Sequence, residues 1–346
     1  MSRPELRISA PLFRANIAAV RERIAPSALM LVVKDDAYGH GLPWVVEAAD
    51  AAGVEWFGSY DVRSALDVRR VGGGAVRVFA WATSTDIEID DALVQSVDLG
   101  VGTAEYLRRI IARADALGVV ARVHLKIDTG LHRNGVLRED WDDVVAEARA
   151  AEAAGLLELV GVWSHIAEAS DAEDDEAQAV FLDAVRVVEL SGSAPALQHL
   201  TASAASWWRP ELRGTLSRIG AFCYGVRSAD GPELDGIRPI ASLVASVSGI
   251  VEGEAVIDIG SFDGLPSTLA GAPVGTSAGA RELRQIDHTT SVVQGWPGMA
   301  IGDEVHLFGA GDRGEVSATT LAERIDTVGE EILTRLSVRV RRVVVD

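Results

Sequence analysis

Over its first 230 residues the chain alternates short β-branched runs with longer stretches in which apolar residues recur at helical spacing. Leu29–Val33 is apolar throughout, as expected of a strand buried on both faces. Seven further runs follow it: Glu55–Ser59, Val76–Ala80, Ser96–Val101, Ala121–Ile127, Leu157–Ser164, Ala196–Leu200 and Leu216–Ile219. Between them lie amphipathic segments at Pro43–Ala52, Val62–Val71, Thr103–Leu117, Asp140–Ala154 and Asp174–Glu189. Thr103 and the Arg138–Asp140 segment read as helix starts, and Gly118, Gly155 and Gly192 fall where helices should stop. Strands that alternate with helices imply a parallel sheet, and eight such units point to closure into a (β/α)8 barrel. An open doubly wound sheet satisfies the same alternation.

The pattern changes after about Asp230. Leu243–Val251, Glu254–Ile259, Glu304–Phe308 and Val338–Val345 are strand-like, glycines punctuate them, and only Ala318–Arg324 and Gly329–Leu336 read as helical. The expected organisation is an α/β barrel over 1–230 followed by a mostly β domain over 231–346. The acidic stretch Ser170–Glu176 reads as a solvated loop and helix N-terminus, where carboxylates favour the helix dipole.

Composition narrows the partners. A formal net charge of −19, from 51 acidic against 32 basic residues, disfavours nucleic acid and anionic membrane. It leaves room for a small anionic ligand in a locally basic pocket. One cysteine, Cys223, permits no intrachain disulfide and fits a reducing compartment. The N-terminal stretch carries charges throughout, unlike a secretory leader, and no apolar run is long enough to span a bilayer. The expectation is a cytoplasmic protein.

Barrel enzymes carry reactive groups at the C-terminal ends of their strands. The first strand here ends at Lys34. The fifth ends near Lys126, followed by Asp128, Thr129, Gly130 and Arg133. The sixth ends at Ser164 and His165, the seventh near His199, Thr201 and Ser203, and the eighth near Arg218 and Gly220. Each residue alone has an ordinary surface explanation; their convergence on one mouth is the signal. A neutral amine on a buried strand end can form a Schiff base with an aldehyde. Tyr38, Ser203 and the backbone N–H groups at Gly220 and Ala221 are donors suited to a phosphate.

These segments resemble the alanine racemase family, fold-type III enzymes that use pyridoxal 5′-phosphate (PLP). VVKDDAYGHG is similar to V-K-A-N-A-Y-G-H-G, KIDTGLHRNG to K-x-D-T-G-M-x-R-x-G, and HLTASAA to H-x-x-N-S-A-A. WSHIAEAS and SRIGAFCYGV also match family segments, in family order. The resemblance implies that Lys34 carries PLP and acts as one proton-transfer base. It implies that Tyr38, Ser203, Gly220 and Ala221 bind the phosphate. His165 packs near the pyridine ring, and Arg218 faces the pyridine nitrogen. Arg133 contacts the substrate carboxylate, and Lys126 supports Arg133, in some relatives after carbamylation. An arginine facing the ring nitrogen keeps the ring a weaker electron sink than an aspartate does, which suits racemisation and suppresses transamination.

The C-terminal part departs from the family. There a tyrosine from the partner subunit serves as the base on the face opposite the lysine, in a segment like S-Y-G-x-T-Y. No tyrosine follows Tyr224 here. Ser261 and Ser267 stand at a tyrosine and an arginine position, Glu330 at a phosphate-contacting tyrosine, and Ala202 at the asparagine before Ser203. Ile286, Asp287 and His288 fall on the family's M-D-Q segment near the substrate, so Asp287 and His288 are the candidate second-face groups. The expected protein is a homodimeric amino-acid racemase with shared active sites and a small amino-acid substrate, atypical in its second base. The alternatives are a one-base PLP enzyme of the same fold (decarboxylase, eliminase or aldolase) and a PLP-binding paralogue without catalysis. No cluster of metal ligands stands out in the sequence.

Overall fold

The computed structural model describes residues 3–346 and divides into two compact units. The chain opens on a short strand, β1 (Glu5–Ser9), and a helix, Ala10–Ile24, neither of which is among the segments singled out above. The helix buries Phe13, Ile17, Val20 and Ile24, a stripe at helical spacing.

The first unit comprises Val20–Lys34 and Leu42–Gly220. It contains eight strands: β2 (Ala28–Val32), β3 (Trp56–Ser59), β4 (Arg77–Ala80), β5 (Asp98–Val101), β6 (Ala121–Lys126), β7 (Leu157–Trp163), β8 (Leu197–His199) and β9 (Leu216–Ile219). Every ladder is parallel, in the order β8-β7-β6-β5-β4-β3-β2-β9. The two ends of this order approach one another. Gln198 N donates to Thr215 Oγ1 at 2.9 Å, and Arg218 N donates to Thr201 O at 3.4 Å. The eight runs read from the sequence are therefore the eight staves of a near-closed (β/α)8 barrel. Its interior is filled by Met30, Trp56, Phe79, Val160, Trp163 and Leu216, all buried.

Helices between the strands start where capping chemistry allows. Asp61, Thr103 and Ser170 each accept a backbone N–H from the first turn of the helix that follows, and Thr85 with Glu88 forms a capping box. The acidic stretch at 170–176 is thus a capped helix N-terminus, with Asp171, Glu173 and Asp174 in the first turn.

The second unit comprises the described residues up to Ala19, Asp35–Gly41 and Ala221–Asp346. Its strands are β1, β10 (Ala241–Val251), β11 (Glu254–Ile257), β12 (Pro273–Thr276), β13 (Gly279–Ile286), β14 (Ser291–Val293), β15 (Glu304–Phe308) and β16 (Arg341–Val345). The pairings β10–β11–β14–β13–β12–β15–β10 close a circuit of antiparallel ladders, and β1 and β16 extend it beside β10. No helix among the described residues is long and apolar enough to cross a membrane.

Candidate active site

The barrel brings most of the sequence-derived residues together at the C-terminal ends of its strands. Lys34 follows β2 and is half-buried. Lys126 is the last residue of β6 and is buried, with Nζ 4.7 Å from the centroid of the Trp163 ring. These are the only two lysines in the sequence. Burial, reinforced by Arg133 and Arg218, lowers the Lys126 pKa to about 8, against the opposing pull of Asp128.

Arg133 is exposed on the loop after β6. Asp128 shapes that loop by accepting N–H donors from Gly130 at 3.0 Å and His132 at 3.1 Å. Gly135 has φ of 142°, and a Cβ there would meet Asp128 N at 2.6 Å, so the loop needs glycine at this point.

Arg218, on β9, is buried and lies within ion-pair distance of no carboxylate among the described residues. Its Nη1 donates to His199 O at 2.7 Å and to His199 Nδ1 at 2.9 Å. Its Nη2 faces Ser164 O at 2.7 Å, Leu200 O at 3.1 Å and His165 Nδ1 at 3.3 Å. A guanidinium has five N–H donors. Four are used in this way, and the Nε–H donor makes no hydrogen bond to the described protein. Burial lowers the Arg218 pKa to about 9, with Glu168 opposing and Arg133 adding to the effect, so the group stays cationic at neutral pH.

His165, half-buried, is driven the other way from a charged state. Burial first, then Arg218, Arg133, Lys126 and Lys34, lowers its pKa to about 3. It is therefore a neutral imidazole, and since Nδ1 accepts from Arg218, its proton is on Nε2. Ser203 opens the short helix Ser203–Trp208, and its Oγ accepts from Gly220 N at 3.3 Å. The donor set fits PLP: an amine for the aldehyde, hydroxyl and backbone N–H groups for the phosphate, cations for negative charge, and a buried guanidinium with one N–H unspent.

Sequence reading missed two members of the barrel's polar interior, Asp98 on β5 and His124 on β6. His124 lies two residues before Lys126, hence on the same face of a buried strand, and that spacing was the available signal.

The remaining candidates belong to the second unit. Asp35, Asp36, Ala37 and Tyr38 form a left-handed turn with φ of 53–55°. Tyr38 is buried, with its ring 5.0 Å from that of Tyr224. Burial, with Glu330 and Asp35 nearby, pushes its phenol well above the usual range, so it remains a donor. Ala221 is buried at the start of the turn Ala221–Tyr224. Glu330 is half-buried in the first turn of the helix Gly329–Thr334.

Ile286 ends β13, and Asp287 and His288 lie in the exposed turn before β14. That turn is held by its backbone. Ser261 N donates to Asp287 O at 2.8 Å and Phe262 N to His288 O at 2.9 Å. A Cβ at Gly260 would meet Asp287 O at 2.6 Å. The His288 ring stacks on Phe262, with centroids 4.9 Å apart, and Asp287 Oδ1 accepts from Gln285 Nε2 at 2.7 Å.

Comparison with known proteins agrees with this arrangement. The model of the alanine racemase N-terminal domain matches residues 8–228, and that of the C-terminal domain matches residues 252–344. The alanine racemase of Thermobifida fusca (strain YX) is 35% identical, over 98% of this chain and 97% of its own. The alanine racemase structure from Streptomyces coelicolor A3(2) superposes with a TM-score of 0.93 at 33% identity, covering 99% of this chain and 98% of that one. The alanine racemase structure from the D-cycloserine-producing Streptomyces lavendulae gives a TM-score of 0.92 at 33% identity, covering 100% and 98%. The chain belongs to the alanine racemase family.

Proposed function

We propose that the protein is an amino-acid racemase that interconverts L- and D-alanine, or an amino acid of similar size, with PLP carried on Lys34. The observation that carries this reading is the buried Arg218, fixed by four of its N–H groups and left with Nε–H to offer a ring nitrogen, at the same strand ends as Lys34 and His165. Bound there, PLP supplies an electron sink that acidifies the Cα–H of an attached amino acid.

The protein's own groups divide the remaining work. Lys34 Nζ takes or returns the α-proton on one face. Arg133 pairs with the substrate carboxylate. Lys126, largely surrounded by cations and partly neutral near pH 8, is set up to react with carbon dioxide and become an anion that holds Arg133 in place. Tyr38, Ser203, Gly220 and Ala221 bind the phosphate. Ile286 lines the substrate side, and Asp287 or His288 handles the proton on the opposite face. Both are exposed on their own chain, which supports a homodimer in which each chain's turn serves its partner. In this reading cofactor chemistry resides in 1–230, the second face in 231–346, and the protein is cytoplasmic.

The absence of any tyrosine beyond Tyr224 favours one second reading, a PLP enzyme that exchanges protons on one face only. A single experiment separates the two. The protein is purified with PLP and reduced with borohydride. The modified lysine is mapped, and chiral products from L- and D-alanine are measured. Label on Lys34 with racemic product supports the proposal. Label on Lys34 with one-sided α-deuterium exchange supports the second reading. Label on Lys126 sinks the lysine assignment.

A further inference from the structure

A buried polar chain runs through the barrel interior and ends on Arg218. Arg218 Nη1 is 2.9 Å from His199 Nδ1. His199 Nε2 is 2.8 Å from His124 Nδ1. His124 Nε2 is 3.3 Å from Asp98 Oδ2. All four residues are buried, and Trp163 and Phe79 pack against the His199 ring. The direction of the chain follows from donor chemistry. A guanidinium only donates, so His199 Nδ1 accepts and its proton is on Nε2. That proton is donated to His124 Nδ1, which leaves the His124 proton on Nε2 and directs it at the carboxylate. Burial and the adjacent Arg218 hold His199 far from its cationic form.

We infer that Asp98, His124 and His199 are positioning residues: a one-way relay of neutral imidazoles that ties Arg218 to a carboxylate at the far end of β5 and so fixes which N–H the guanidinium can offer. The relay spends Nη1 on His199, while strand-end carbonyls spend Nη2. Nε–H is then the donor that faces outward. Among the described residues no carboxylate lies within ion-pair distance of Arg218, and the one whose charge favours the cation is Glu168. A carboxylate in direct contact would compete with a ring nitrogen for Arg218; a carboxylate two imidazoles away does not.

Asp98 has a second set of contacts. Arg122 Nε donates to its Oδ1 at 2.8 Å, and Arg77 Nη2 approaches Oδ2 at 3.4 Å. A purely structural Asp98 would serve those two arginines alone. One glycine argues for the relay: a Cβ at Gly161, on β7, would meet His124 Nδ1 at 2.6 Å, so β7 leaves space at the junction of the two imidazoles.

The role of the relay at the ring nitrogen rests on the proposed function; its proton pattern does not. The test is nitrogen NMR on the ¹⁵N-histidine-labelled holoenzyme, assigned by single histidine replacements. Both rings are expected to carry a proton on Nε2, with Nδ1 of each accepting a hydrogen bond. Asp98→Asn removes the charged terminus, so His124 gains a population protonated on Nδ1. Its kcat for racemisation falls about 2- to 30-fold, the range of remote coupling, with KM unmoved. Arg122→Gln removes the closer of the two arginine contacts to Asp98, spares the relay, and leaves both tautomers and kcat as they were. Should Asp98→Asn fail to fold, Gly161→Ala interrupts the relay from the side and gives the same readouts. A proton on Nδ1 of His199, or an imidazolium at either ring, overturns the relay. So does an Asp98→Asn protein with unchanged tautomers and kcat. Absence of racemisation with the expected tautomers intact overturns the functional reading and leaves the relay standing.

Discussion

At the mouth of the barrel, Arg218 and Lys126 are buried, and Arg218 meets several partners at once. On the turn before β14, Asp287 and His288 are exposed and their position is set by backbone hydrogen bonds to Ser261 and Phe262. The first region carries the segments that resemble the family's, and the second departs from that resemblance. A buried polar site whose groups are mostly paired tolerates little change, because removing one partner strands another without solvent. A turn held by its backbone accepts new side chains at small energetic cost. In the proposed reading the cofactor-binding groups are thus constrained by the barrel's packing, whereas the second proton-transfer face is open to substitution.

The largest expected effect tests the barrel side of this contrast. Lys34→Ala should abolish the absorption of lysine-bound pyridoxal and reduce racemisation by about 10⁴-fold or more. A variant that still yields a borohydride-reducible adduct in the same site would break the comparison at its stronger end.

The replaced side should show a deficit of its own. Without the family tyrosine, racemisation should run on the order of 10² to 10⁴ below that of relatives that keep it. α-Deuterium exchange into one enantiomer should outrun racemisation. His288→Ala should abolish racemisation and leave one-sided exchange intact if His288 is the substitute. Racemisation that survives the loss of both Asp287 and His288 would place the second face elsewhere.

Lys126 gives a pH-dependent test of the buried region. Its folded pKa, about 8, lies below that of an unfolded lysine, so its charged form is disfavoured in the fold. That penalty is fully present below about pH 8 and fades as pH rises toward the unfolded value. With the amine unmodified, Lys126→Met should therefore be more stable than the parent at pH 7, on the order of 1 to 3 kcal/mol. The gain should shrink at pH 10, as measured by chemical denaturation. The smallest effect belongs to the exposed turn. Phe262→Ala removes the ring under His288 and should change stability by no more than about 0.5 kcal/mol. It should slow racemisation more than exchange.

The barrel was legible because its short strands, buried almost throughout, alternate with longer stretches at helical spacing. β1 was not: its burial alternates, and in ELRIS only Leu6 and Ile8 are buried. β13 is harder still, since only Leu283 of its eight residues is buried, and its pairing with β12 and β14 carries no apolar signature. The helix Ala10–Ile24 did carry one, in Phe13, Ile17, Val20 and Ile24, beneath a run of arginines that drew attention to charge. In the site, the strand ends exposed Lys34, Lys126, His165 and Arg218 to sequence reading. Asp98 and His124 lie deeper along their strands, where a search of strand ends does not reach.

The left-handed turn at Asp35–Tyr38 bears on how the protein is made. L-residues in this conformation cost roughly 1–2 kcal/mol each, so four in a row do not hold their shape unaided. Local bonds close the turn, with Gly39 N donating to Asp35 O at 2.8 Å and Gly41 N to Asp36 O at 3.0 Å, and Arg342 Nε braces it from far downstream by donating to Gly39 O at 3.1 Å across a separation of 303 residues. During synthesis the contact between Gly39 and Arg342 can form only after the residue 303 positions downstream has been made. Lys34 is therefore translated long before the turn beside it gains this brace.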